Sequence, residues 1–173
     1  MPNPIENAMA KGAGKVAAVE ARAKGLKGVF TKLAEQHREA ATLLARADST
    51  NDLEKRRDLW NEIKRQLISH ERAELAEIYP VLASYDATRE IARLHDAEAA
   101  TLESTIKQLD AMTFETPAWK TTLEKLIGLV KAHAAQEESE FFPRAQQTIG
   151  DDASRQLEDL FLEAQKRAMS ELR

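Results

Sequence analysis

Residues 70–80 read His70-Glu71-Arg72-Ala73-Glu74-Leu75-Ala76-Glu77-Ile78-Tyr79-Pro80, and residues 133–143 read His133-Ala134-Ala135-Gln136-Glu137-Glu138-Ser139-Glu140-Phe141-Phe142-Pro143. In both stretches a glutamate follows the histidine by four residues, an aromatic by nine and a proline by ten. At about 3.6 residues per turn a four-residue step returns to the same helix face, so each stretch sets an imidazole beside a carboxylate. The repeated offsets predict two copies of one helical hairpin packed with pseudo-twofold symmetry.

Working outward, a histidine-bearing helix precedes each stretch: His37 lies 33 residues before His70, and His95 lies 38 before His133. These four are all the histidines of the chain. Leu26, Phe30, Leu33, His37, Ala40 and Leu44 step along one face of a first helix that ends near Asp48, with Asp48 to Asp52 as loop and next N-cap. Trp60, Ile63, Leu67, His70 and Glu74 form the stripe of a second, which runs towards Tyr79 and stops or kinks at Pro80. Ile91, His95, Ala99, Leu102, Ile106 and Leu109 mark a third. Trp119, Leu123, Leu126, Val130, His133, Glu137 and Phe141 mark a fourth, which starts by Pro117 and stops near Pro143. Trp60 and Trp119 read as core residues. Short loops between four such helices predict an all-α, up-down-up-down four-helix bundle over residues 29–145. Residues 1–28 are expected to form a weakly amphipathic helix or partly ordered arm, with Ile5, Met9, Val16 and Val19 as its apolar side. Residues 146–173 are expected to form a C-terminal helix after a turn at Gly150.

Composition narrows the function classes. The 173 residues, 43% of them hydrophobic, suffice for one folded domain. With 25 basic against 29 acidic residues the net charge is −4, which lacks the excess of base that binding a phosphate backbone needs, so no nucleic-acid partner is expected. The absence of cysteine removes disulfides, thiolate metal sites and cysteine nucleophiles together. No apolar run approaches the ~18 residues of a membrane span, and no apolar leader opens the chain, so a cytoplasmic protein without a membrane partner is expected.

The six inward groups, His37, His70, Glu74, His95, His133 and Glu137, cannot be buried unpartnered, because each would cost several kcal/mol. A pair of bound cations satisfies all of them, and imidazole with carboxylate suits iron, manganese or zinc. Geometry and charge favour a dinuclear site, with iron first. The competing reading is a polar core that pairs histidine with glutamate and holds no metal. A ferritin-like site fails, because Ala34, Leu67, Ala92 and Val130 stand where its Glu-x-x-His motifs need glutamate. No Gly-rich phosphate loop, His-Glu-x-x-His or Gly-x-Ser-x-Gly motif is present.

His37, His70-x-x-x-Glu74, His95 and His133-x-x-x-Glu137 together resemble the hemerythrin-like (HHE cation-binding) family, over about residues 30 to 145. The resemblance implies an oxo- or hydroxo-bridged di-iron centre with the four histidines as terminal ligands and Glu74 and Glu137 as bridges. It further implies a small diatomic or peroxide ligand: a protein that binds, reduces or senses dioxygen, peroxide or nitric oxide. Hemerythrins proper carry a fifth histidine where this chain has Ala99, which weighs against reversible dioxygen carriage and leaves positions open for reaction. A peroxidase-like, catalase-like or nitric-oxide-reducing oxidoreductase is one outcome; a non-enzymatic cation-binding or metal-dependent sensor module is the alternative. Glu71 stands where some four-histidine members recruit an acid, yet about 100° around the helix from His70 it reads equally as a solvated surface residue. Glu138 lies off the stripe that Glu137 continues, and Glu98 and Tyr79 are left without a role. The electron donor and the oligomeric state are not legible in the residues.

Overall fold

The computed structural model describes residues 4–172, and among them it contains helices and no strand. Helix α1 spans Pro4–Ala23, α2 Val29–Ser49, α3 Leu53–Ala73, α4 Tyr79–Ala83, α5 Arg89–Ala111, α6 Pro117–Gln136 and α7 Phe142–Glu171. Local chemistry sets the starts: Asp52 caps α3 by accepting from the Glu54 and Lys55 amides, and Thr116 caps α6 by accepting from the Trp119 amide, with Pro117 next.

The two prolines do not stop their helices, which overturns the stop expected near Pro143 and, of the stop or kink expected at Pro80, the stop. A π turn, Glu74–Ile78, joins α3 to α4, and a second, Glu137–Phe141, joins α6 to α7. In each, an amide bonds to the carbonyl five residues back, Tyr79 to Glu74 and Phe142 to Glu137. The wider turn makes room for the Pro80 and Pro143 rings, whose missing N–H would break an ordinary α ladder. Both helices therefore run on. The real break in α7 is Gly150, at φ 81°, where the C-terminal half turns back along α2 and α3.

Helix α1 takes the helical alternative, but buries a different face from the apolar positions named in the sequence. It is a full helix packed along α2, but Ile5, Met9, Val16 and Val19 face outward, each about half exposed or more. Its buried side is made of Ala10, Gly14, Ala17, Ala18 and Ala21. Small residues win that face because close approach of the two backbones demands it: a Cβ on Gly14 would lie 2.9 Å from the Glu35 carbonyl oxygen. Glu6, on the same face, is buried against Arg46 Nε at 2.7 Å and Lys55 Nζ at 2.5 Å.

The bundle core is two apolar blocks. One holds Leu43, Leu59, Trp60, Ile63, Ile106, Trp119 and Leu126. The other holds Phe30, Leu33, Ile78, Leu82, Phe141, Phe142 and Phe161. Each fully buried large side chain contributes roughly 1.5–3 kcal/mol. Between the blocks every helix of the bundle carries its histidine, so a polar layer divides the core.

Candidate metal centre

Seven groups meet in that layer: His37 from α2, His70 and Glu71 from α3, Glu74 at the first π turn, His95 from α5, His133 from α6 and Glu137 at the second π turn. All are buried, with His95, Glu74 and Glu137 wholly inaccessible. The Nε2 atoms point to the centre. That of His37 lies 3.1 Å from Glu137 Oε2, and that of His133 lies 3.4 Å from the same oxygen and 3.3 Å from Glu71 Oε1. That of His95 is 3.2 Å from Glu74 Oε2, 3.5 Å from Glu137 Oε1 and 3.6 Å from Glu71 Oε2. That of His70 is 3.4 Å from Glu74 Oε2. The structure thus brings every sequence-predicted site residue together, Glu71 included, and its surface reading is displaced: the α3 face that carries it packs towards His95 and His133.

Two donor groups emerge in which all ligating atoms lie within 4.8 Å of one another: Glu71, Glu74, His95 and His133; and His37, His133 and Glu137. The fit to cations rests on orphaned atoms. Nε2 of His37, His70 and His133, Oε2 of Glu71 and Glu137, and Oε1 of Glu74 are all shielded from solvent and make no hydrogen bond among the described residues, imidazole and carboxylate meeting only as ion-pair neighbours at 3.1–3.6 Å. Buried polar atoms in native proteins are overwhelmingly partnered. Six such atoms in one buried layer fit cations as their partners, and nitrogen with oxygen donors suits first-row metals.

Surrounding residues fix the rings. His37 Nδ1 lies 3.0 Å from Glu138 Oε1, His133 Nδ1 lies 3.0 Å from Glu98 Oε2, and His70 Nδ1 lies 2.8 Å from Gln36 Oε1. These oxygens accept from Nδ1–H, which turns each Nε2 inward, its lone pair available to a cation once the ring is neutral. Tyr79 stacks on His95 with ring centroids 3.6 Å apart and donates its hydroxyl to Glu137 Oε1. Gln36 forms a reciprocal amide pair with Gln165 of α7, at 2.8 and 2.9 Å. Glu98, Glu138 and Tyr79 were visible in the sequence as neighbours of the motif. Gln36 and Gln165 carried no such signal, because their pairing joins positions 129 residues apart.

Charge follows from this packing in the metal-free protein. Burial opposes a charge on His37, but the Glu137 and Glu138 carboxylates outweigh it and raise the imidazole to about 9. Burial is likewise outweighed at His133, where Glu137, Glu71 and Glu98 raise it to about 12. Burial and the charge on His37 push His70 down to about 3. Glu74 is raised by burial and by Glu137, whereas Glu137, despite burial, is held well below the usual carboxylate range by His133 and His37.

A cavity of about 480 Å³, open on one side, reaches this layer and is lined by His37, His70, Glu71 and His133 at its inner end.

The profile of the hemerythrin HHE cation-binding domain matches residues 29–145. A DNA nickase of Nostoc sp. (strain PCC 7120) is 24% identical over 136 residues, covering 79% of this chain. The chain spans only 38% of that curated relative's length. No solved structure matches.

Proposed function

The chain belongs to the hemerythrin HHE cation-binding domain family, and on that premise we propose that its polar layer holds two iron ions and that the protein binds, reduces or senses dioxygen, peroxide or nitric oxide. The observation that carries the reading is the set of six buried donor atoms without a hydrogen bond that α2, α3 with its π turn and α6 with its π turn bring into one layer. His37, His70, His95 and His133 would be terminal ligands, Glu74 and Glu137 would bridge, and Glu71 would add a third carboxylate. Bound iron supplies redox chemistry and coordination positions for a small oxidant.

The chain's own residues do the rest. Glu138, Glu98 and Gln36 hold three imidazoles in the tautomer that faces inward. Tyr79, whose proton is held by burial and by the charge of Glu137, keeps one lone pair of Glu137 Oε1 engaged and so orients that carboxylate. Phe142, stacked on His37, and Phe161, edge-on to His70, wall off solvent on the side of the second apolar block. Ala99, buried one turn beyond His95, offers no donor atom. The cavity gives small molecules a route to the layer from the side of His37, His70 and His133.

A second reading has its own support: a non-enzymatic cation-binding or sensor module. The Gln165–Gln36–His70 chain of hydrogen bonds ties the C-terminal helix to one candidate ligand, so metal loading would be felt in α7. The nicking named for the Nostoc protein belongs to a polypeptide of which this chain covers a minor share.

Metal content per chain after anaerobic iron loading and desalting tests the centre, with optical spectra before and after air. About two irons per chain, the number that six to seven inward donors hold, with new near-ultraviolet absorption is expected. No retained metal and unchanged melting in chelator would overturn it, since bound metal must add stability by mass action. Turnover of hydrogen peroxide or nitric oxide by the loaded protein separates the reactive reading from the sensor; inertness with metal-dependent protection of α7 from hydrogen exchange favours the sensor.

A further inference from the structure

The cavity that reaches the metal layer is far larger than a diatomic ligand requires. Its volume of about 480 Å³ compares with about 30 Å³ for one water in the liquid, and lies in the range of pockets for organic ligands, about 300–1,000 Å³. Its walls are mixed in a definite way. Ala40, Leu67, Leu102, Val130, Leu162 and Met169 make it apolar, while α3 contributes Arg65 and α7 contributes Lys166.

The two cations lack counterions: neither Arg65 nor Lys166 is ion-paired among the described residues, and Arg65 Nε is shielded from solvent with no hydrogen-bond partner. Arg65 is half-buried, and a shielded Nε–H left unmatched beside an apolar wall is an arrangement that an anionic ligand would complete. Of the two acids in the lining, Glu71 faces the metal layer and Glu39 lies against Gly14 of α1, where burial together with the charge on Glu35 raises its carboxyl towards the neutral form. Arg65 precedes His70 by five residues, about 7.5 Å along α3, so the cationic and histidine parts of the lining are separated by the apolar stretch around Leu67.

We propose that this cavity binds an amphipathic organic carboxylate, with its carboxylate held by Arg65 and Lys166 and its apolar body lying along Leu67, Leu102, Val130 and Leu162 towards the histidines. That the far end of such a ligand meets a redox metal, and so makes it a substrate, rests on the di-iron reading; the binding itself does not.

Isothermal titration of octanoate into the full chain tests it, with octan-1-ol as the uncharged counterpart, on chelator-treated and on iron-loaded protein whose iron content is measured in the same samples. One octanoate per chain is expected, with octanol at least tenfold weaker. Arg65→Gln and Lys166→Gln should each weaken octanoate about tenfold, the size of one lost charge-assisted hydrogen bond, and Arg65→Lys should recover part of the loss. Lys166 is exposed, so its substitution leaves the fold intact and the test interpretable even where Arg65→Gln lowers the melting temperature. Equal affinity for octanoate and octanol, or affinity indifferent to both substitutions, overturns the proposal. Protein that holds two irons yet does not bind octanoate overturns it while the metal reading stands. Protein that holds no iron but binds octanoate through Arg65 supports the cavity and removes the metal.

Discussion

Replacing Glu71 by glutamine isolates one carboxylate of the centre without changing its shape. Glu71 is buried, with Oε1 3.3 Å from His133 Nε2 and Oε2 3.6 Å from His95 Nε2. Two divalent cations bring a charge of four, and Glu71, Glu74 and Glu137 return three, so the loaded site carries about one excess positive charge in a buried layer. Glu71→Gln doubles that excess. Two unit charges about 4 Å apart interact by about 4 kcal/mol at an effective dielectric of 20, nearly three decades of affinity at about 1.4 kcal/mol per decade. The amide oxygen of glutamine still offers a lone pair, so the expected weakening of iron(II) binding is about ten- to a thousandfold. Anaerobic competition against a chromogenic chelator measures it, with Glu77→Gln as control: that glutamate sits on the first π turn but pairs with Arg167 at the surface. The metal-free variant should melt lower than the parent, because it loses one of the carboxylates that hold His133 charged. Iron affinity within twofold of the parent would show that Glu71 is not a ligand and that its inward position is a packing accident.

In the metal-free protein His37 and His133 both hold a proton at pH 7, and ligation requires neutral imidazole; metal binding should therefore release about two protons per chain and tighten as pH rises, and titration in buffers of different ionisation enthalpy counts them, with no release refuting the protonation pattern. Glu6 is lowered from 4.5 by its hydrogen bond from Lys55, with burial opposing and Arg46 assisting; its contribution is full above 4.5 and lost as pH falls through the lower folded value. Glu6→Gln should thus cost about 1–2 kcal/mol at pH 7 and progressively less in acid, as followed by urea unfolding across pH. Gly28 sits at φ 54°, and a Cβ there would come within 2.4 Å of the Ser154 carbonyl, so Gly28→Ala should cost about 3 kcal/mol or more from left-handed strain plus overpacking; Gly128→Ala, with nothing within 4 Å of its Cβ, should gain about 0.5–1 kcal/mol, and equal melting of the two variants would refute the packing at that joint.

The centre was legible because helical periodicity is a local rule: a step of four between His70 and Glu74, or His133 and Glu137, fixes a shared face whatever the rest of the chain does. Glu71 was undecided for the same reason, since one residue's rotation places it at the border of that face and only the approach of α5 and α6 turns the border inward. Proline breaks an α ladder, so Pro80 reads as a stop or a kink and Pro143 as an end; nothing local says that the break will be absorbed by a wider turn. In α1 the sequence marks Ile5, Met9, Val16 and Val19 as the apolar side, whereas contact with α2 buries alanine and glycine, a choice made by the distance between two backbones. Gln36 and Gln165 meet only because α7 turns at Gly150, and no pattern within either helix marks them.

The polar layer that separates the two apolar blocks also decides what a spectroscopist would see. Both tryptophans of the chain, Trp60 and Trp119, lie in one block, with rings 6.0 Å apart and edge-on to each other. Indole emission is therefore a reporter of that half alone, silent about the block that holds Phe30, Phe142 and Phe161 and about the docking of α7. If the layer is weak without its ions, the two halves can melt at different temperatures, and the emission trace will part from the helical circular dichroism trace. Coincidence of the two traces with metal, and their separation without it, would identify the ions as the rivet that makes two cores unfold as one.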